Sequence, residues 1–135
     1  PHCQIGPEVV LGCGNKLRSH VSLMGAAHLA DGNQIFSYAV IGTDTQDLKY
    51  RGEKTGLSIG NRNVIREFVT INRSNCSSEL TSVGDGNLLM EYVHVGHNCQ
   101  IGSGCVIANT VQMAGHLVIE DYVSIGGLTY TSSCI

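Results

Sequence analysis

An apolar residue recurs at every sixth position along most of this chain. Ile5, Leu11, Leu17, Leu23, Leu29, Ile35 and Ile41 form an unbroken series. The series resumes at Ile59, Ile65 and Ile71, and again at Val83, from which Leu89, Val95, Ile101, Ile107, Met113, Ile119 and Ile125 follow. The fourth residue after each apolar one is usually small, branched or Asn, as at Val9, Asn15, Val21, Ala27, Asn33, Ala39, Cys99 and Cys105. A helix would repeat its apolar face every ~3.6 residues, and a half-buried strand would alternate strictly; neither fits. Two inward positions per hexad, with a turn between hexads, describe one side of a prism. Three hexads then close one coil, and hexapeptide repeats of this kind build parallel β-helices. Successive coils stack at the strand spacing of about 4.8 Å. Asn15 and Asn33, one coil apart, are expected to stack at a corner, because Asn tolerates the left-handed backbone that corners need.

Two segments break the pattern, residues 43–58 and 73–82. Ile41 and Ile59 are one coil length apart, so both segments are expected to leave the prism and rejoin it in phase. The first packs Gln46, Asp47, Lys49 and Tyr50 into five residues and reads as functional, because loops thrown from a rigid scaffold are where function concentrates. The second reads as a tolerated surface insertion.

Composition agrees with a repetitive β architecture: 17 Gly, only 2 Pro, no Trp and 14% charged residues. A net charge of -3 and a pI near 6.0 exclude a nucleic-acid footprint. No apolar run reaches the length of a membrane span, so stable membrane insertion is not expected. The chain opens on Pro1 without a signal-peptide pattern, and the repeat already runs at Ile5 and nearly runs at Ile135; a single domain over residues 1–135, cut from a longer protein, is expected. Six Cys without a CxxC pair fit reduced thiols in a cytoplasmic protein, with Cys99 and Cys105 as small interior side chains.

His94, His97 and His116 fall within the longest run of hexads, and none occupies an inward position. Asn98 and His116 are three hexads apart, hence equivalent on consecutive coils, so His97 and His116 should share one face one coil apart, with His94 beside them. A neutral imidazole at that place can act as a general base. A zinc site is the alternative that imidazoles also allow. A bare prism face makes a poor pocket, so a cleft between subunits of an oligomer is expected.

The stretches QDLKYRGEKT at 46–55, IGNRNVIREFVTINR at 59–73, VGDGNLLM at 83–90, HVGHNCQIG at 94–102 and IANTVQMAGH at 107–116 resemble the UDP-N-acetylglucosamine O-acyltransferases, which catalyse the first step of lipid A biosynthesis. The resemblance implies a left-handed parallel β-helix and a homotrimer with sites between subunits. It implies transfer of an R-3-hydroxyacyl group from acyl carrier protein to the 3-hydroxyl of UDP-N-acetylglucosamine. By motif position His97 is the expected general base, Gly115 the backbone N–H donor to the oxyanion, and Asn98 the residue that orients the base. Gln46, Asp47, Lys49, His94 and His116 are the expected substrate-binding residues. No cofactor and no metal are expected; the acyl donor is carried on the phosphopantetheine of acyl carrier protein.

Three departures from the family pattern stand out. Asn98 replaces the usual Asp after the base; it can orient an imidazole but supplies no charge. Asn72 replaces a His. After GGLT at 126–129 the family has VHQF, whereas this chain has Tyr130, Thr131, Ser132 and Ser133. If the codons were GTA CAC CAG TTC, reading them one base later would give Tyr-Thr-Ser and the start of a Ser codon, so a local frameshift is one account of the difference, which the nucleotide sequence would test. The family's later coils and helical C-terminal domain are expected to be absent from this chain. A γ-class carbonic anhydrase-like metal hydratase has no use for the QDLKY loop or for Gly115. A non-catalytic solenoid that binds through a flat face would need Thr-rich arrays that are not present. An inactive fragment of the acyltransferase is the remaining alternative.

Overall fold

The computed structural model describes residues 1–132 as nineteen short parallel strands wound into a three-sided left-handed β-helix. On the first face, Gln4–Ile5, Ser22–Leu23, Val40–Thr43, Thr70–Asn72, His94–Val95, Gln112–Met113 and Tyr130–Thr131 stack in that order. The second face runs from Val10–Leu11 through Ala26–Leu29, Gly56–Ile59, Leu80–Val83 and Gln100–Ile101 to Val118–Ile119. The third runs from Lys16–Leu17 through Gln34–Ile35, Val64–Ile65, Leu88–Leu89 and Val106–Ile107 to Ser124–Ile125. The apolar residue of each central hexad is fully buried, as at Leu23, Ile35, Ile65, Leu89 and Ile107, and so is the residue two before it, as at Val21, Ala39, Val69, Val93, Cys99 and Cys105. These two rows per face fill the axis of the prism. Of the departure at 130–133, Tyr130–Thr131 forms the last strand of the first face, and Ser133 lies outside the described residues.

Register corrects the sequence reading of the loops. Ile41 pairs with Ile71, thirty residues on, and Ile71 with Val95, twenty-four residues on. Ile59 belongs to the second face, over Leu29. The first excursion therefore does not replace one in-phase coil; it lengthens a single corner, the one between the first and second faces. The second excursion leaves from the same corner one coil later. Regular coils hold three hexads, as between Ile5 and Leu23, and the two loop-bearing coils are longer. The flanking strands also extend into the segments, so that 44–55 and 73–79 are the parts outside the ladder. Arg73 closes the root of the first loop. Its guanidinium donates to the Gly42 carbonyl at 2.5 Å, to the Asp44 carboxylate, and to Thr55 Oγ1 at 3.4 Å, gripping both ends of the excursion.

The Asn residues are inward and stacked as expected, but they are not the left-handed residues of the corner. Asn33, Asn63 and Asn87 point inward and are buried, and the left-handed residue sits one place earlier, at Gly14, Gly32, Arg62 and Gly86. An interior amide needs partners, and the stack supplies them. Asn15 Oδ1 accepts from the Asn33 backbone N–H at 2.9 Å and from Asn33 Nδ2 at 3.0 Å. Asn33 Oδ1 likewise accepts from the Asn63 N–H at 2.9 Å and from Asn63 Nδ2 at 3.1 Å, and Asn63 Oδ1 accepts from the Asn87 N–H at 2.9 Å. The Asn63 amide donates onward to the Gly84 carbonyl at 2.8 Å. The ladder thus satisfies turn groups that the corner would otherwise leave unpaired. On another corner the left-handed residues His20, Tyr38, Phe68 and Tyr92 stack their rings at 5.0 to 5.2 Å.

Because Asn63 serves two neighbouring turns, Asn63→Ala should destabilise the helix by about 2–4 kcal/mol, the effect of stranding buried polar groups on both sides. Asn15→Ala, at the less buried end of the ladder, should lose less. Urea unfolding of both variants measures the difference; equal losses would count against the ladder as the stabilising element.

Candidate functional site

The three histidines gather at the corner from which both loops leave. His94 lies on a strand of the first face with its side chain outward, and Thr70 Oγ1, one coil earlier, is 2.7 Å from its Nδ1. His97 and His116 sit on the corner one coil apart, linked through the His116 N–H and the His97 carbonyl at 2.9 Å. Their rings meet edge to face with centroids 5.0 Å apart. Asn98 and His116 both adopt left-handed backbone, with φ of 59° and 63°. This turns the chain sharply enough to leave His97 half-buried on the outside of the prism while Asn98 tucks under the second loop, 3% exposed.

Asn98 joins the second loop to the base. Its Oδ1 accepts the Asn75 backbone N–H at 2.9 Å and lies 3.0 Å from His97 Nδ1. Its Nδ2 donates to Glu79 Oε2 at 2.7 Å. A backbone donor on one side and a carboxylate on the other fix which amide atom is oxygen. An amide oxygen can only accept, so the bond places a proton on His97 Nδ1, and in the neutral ring the lone pair is on Nε2. That free Nε2 lies against Gly115: a Cβ built there would stand 2.5 Å from it, so any other residue at 115 would displace the ring.

Asp47 approaches from the first loop. The Lys49 N–H donates to its Oδ1 at 2.9 Å, and Asn75 Nδ2 donates to its Oδ2 at 2.9 Å. These bonds, with the nearby His97, hold the Asp47 carboxyl below its usual range. His94 is pushed below the ordinary imidazole value, first by burial and then by the neighbouring His97. A cleft of about 390 Å³ opens between these groups, lined by Gln46, Asp47, His94, His97, Gln112 and Gly115 among others.

Of the expected site residues, Gln46, Asp47, His94, His97 and Gly115 line this cleft. His116 flanks it, half exposed, and Asn98 supports it from beneath. The Lys49 side chain is exposed and outside the lining; its backbone, rather than its ammonium, is what reaches Asp47. The second loop is not the surface insertion the sequence suggested. It delivers Asn75 to Asp47 and Asn98, and Glu79 to Asn98, with Glu79 also 3.8 Å from His116 Nδ1. Thr70, behind His94, was not anticipated either. Among the described residues no group of three or more His, Cys, Asp or Glu is arranged to hold a metal ion.

The fold is that of a hexapeptide-repeat protein: residues 81–115 match the bacterial transferase hexapeptide (six repeats) family. The chain is 44% identical over 123 residues to the acyl-[acyl-carrier-protein]–UDP-N-acetylglucosamine O-acyltransferase of Thermodesulfovibrio yellowstonii, a match that covers 90% of this chain and 48% of the relative. The structure of LpxA from Acinetobacter baumannii superposes with a TM-score of 0.94 at 44% identity, over 96% of this chain and 51% of that one. The UDP-N-acetylglucosamine O-acyltransferase of Moraxella catarrhalis gives 0.94 at 42%, with the same coverage. Over nine-tenths of its length the chain is thus similar to UDP-N-acetylglucosamine O-acyltransferases. It spans about half the length of the relatives it matches.

The lowered pKa of His94 has a sign that can be tested. The unfolded chain takes up a proton near the ordinary imidazole value of 6.5, while folded His94 resists it until lower pH. This contribution to stability is therefore intact above the unfolded value and is lost as the pH falls from there toward the folded one. His94→Gln should flatten that part of the profile. Urea midpoints between about pH 7.5 and 5 would test it, and an unchanged slope in the variant would exclude His94 as the cause.

Proposed function

We propose that this corner performs acyl transfer from a thioester to a sugar hydroxyl: an R-3-hydroxyacyl group passes from acyl carrier protein to the 3-hydroxyl of UDP-N-acetylglucosamine, the first step of lipid A biosynthesis. The observation that carries the reading is the contact of His97 Nδ1 with the Asn98 amide oxygen, which leaves Nε2 turned to Gly115 in the cleft. The names of the relatives supply the substrate classes.

The sugar hydroxyl is a weak nucleophile. His97 Nε2 removes its proton as the oxygen attacks the thioester carbonyl, and the oxygen–carbon bond forms. The carbonyl oxygen becomes an oxyanion, for which the Gly115 N–H is the donor beside the base. Collapse breaks the carbon–sulfur bond, and the departing phosphopantetheine thiolate takes the proton from the imidazolium and leaves as the thiol. His94, His116, Gln46 and Asp47 position the sugar nucleotide. Lys49, exposed beside Asp47, is suited to contact a phosphate carried in from outside the cleft. The chemistry uses no further cofactor and no metal.

The cleft is open on one side of the prism, as expected if a second subunit closes it, and a homotrimer with sites between neighbours is the assembly we favour. No helix among the described residues is long and apolar enough to cross a membrane. A cytoplasmic enzyme that draws on acyl carrier protein fits the reading.

The assay is transfer from acyl carrier protein to UDP-N-acetylglucosamine, with oligomer content checked for each variant. His97→Ala should lower kcat by about 10²–10⁴, the usual worth of a positioned general base, with the assembly intact. His116→Ala should reduce it less. Near-normal rates for His97→Ala would sink the assignment.

A further inference from the structure

His97 is hydrogen-bonded to an uncharged amide, yet the bond does not end there. Asn98 Nδ2 continues to Glu79 Oε2 at 2.7 Å, the length of a charge-assisted bond. The same oxygen is 3.8 Å from His116 Nδ1. Glu79 comes from the second loop, immediately before the strand Leu80–Val83, and the neighbouring Thr81 Oγ1 accepts the Asn98 N–H at 2.9 Å. The loop is thus fastened to the corner at both Asn75 and Thr81, and the carboxylate between them is held against the amide rather than left free on the surface.

We propose that Glu79 is the carboxylate that serves the base: through the Asn98 amide it holds His97 in the tautomer with Nε2 free and stabilises the imidazolium formed during transfer, while directly facing His116. Glu79 touches no reacting atom and is a positioning residue. When His97 takes a proton, its Nδ1–H pulls harder on Asn98 Oδ1, the amide polarises, and its N–H donates more strongly to the carboxylate. The charge is displaced by one residue, with the amide as conductor. Its link to catalysis rests on the proposed function; the coupling of Glu79 to the imidazoles does not.

The other charged and titratable groups around His97 are Asp47 and Lys49 from the first loop, Cys76 from the second, His94 on the same coil, and His116 and Tyr130 on the later strands and corner. Asp47 is a second negative charge but is bonded to the Lys49 N–H and to Asn75, with no hydrogen bond to the ring. Removing Glu79's charge therefore acts on the relay and on its direct contact with His116, and leaves Asp47 in place.

The test follows the imidazole titrations by NMR in the whole protein, together with the pH profile of kcat. Glu79→Gln keeps an acceptor for Asn98 Nδ2 and removes the charge; half of the Glu79 side chain is in solvent, so the substitution should fold. We expect the His97 midpoint to fall by about half a pH unit, the acid limb of the rate profile to move with it, and kcat to fall about threefold with little change in KM. Asn98→Asp combined with Glu79→Gln moves the carboxylate next to the ring and should restore the midpoint. An unchanged His97 midpoint in Glu79→Gln overturns the proposal, as does a double variant that titrates like Glu79→Gln. If the unaltered protein transfers no acyl group, the functional reading fails, and the titrations still decide the coupling.

Discussion

Every coil must hydrogen-bond, strand upon strand, to the coil before it, and this parallel register is the constraint on which the rest of the molecule depends. Each strand is only two to four residues long, too short to hold a shape alone. The backbone bonds from Ser22 to Ala39, Gln34 to Asn63 and Val64 to Asn87 are useful only if a residue lies directly over its counterpart. Register then aligns everything else: aliphatic side chains along the axis, amides at one corner, aromatic rings at another. The corner ladders reinforce the register they inherit, because a slip by one residue would break the Asn stack and turn each inward side chain outward.

The same constraint explains what could be read from the sequence and what could not. A strict interval of six is visible as letters, so the prism, its inward rows and the burial of Cys99 and Cys105 were legible. Equivalence at every third hexad placed His97 and His116 on one corner from the letters alone, since no loop intervenes between them. Where a loop does intervene, counting misleads. Ile41 and Ile59 are separated by one coil length by coincidence, and that spacing suggested a coil replaced in phase, although Ile41 rests on Ile71. The left-handed corner residue was also misplaced by one, because Asn is a good left-handed residue and an even better buried one when a second amide lies above it.

The contributions of the second loop were illegible for a different reason. Asn75 and Glu79 have no period, and their partners lie 23 and 19 residues away on a later coil. Nothing in RSNCSSELTS distinguishes a carboxylate aimed at the site from one in solvent. What brings Glu79 in is its position just before a strand of fixed register: once Thr81 is buried and bonded to the Asn98 N–H, the residue two before it can only lie over the same corner. Loop chemistry becomes readable only after the scaffold it returns to is known.

Asn at position 98 is where these constraints meet. The corner demands φ near +59°, which Asn adopts more readily than most residues. Burial demands that every polar atom be paired, and three short hydrogen bonds join this side chain to a ring nitrogen, a backbone N–H and a carboxylate, with Cys76 Sγ at 3.7 Å besides. Only an amide of this length accepts twice on one side and donates on the other. A carboxylate there would serve the ring and Asn75 but would face Glu79 with like charge and lose the bond that the amide donates. A Gly would suit the backbone and leave all three partners unpaired. Asn98 and the Glu79 that the second loop presents are bonded to each other, and the two positions read as one unit of the site.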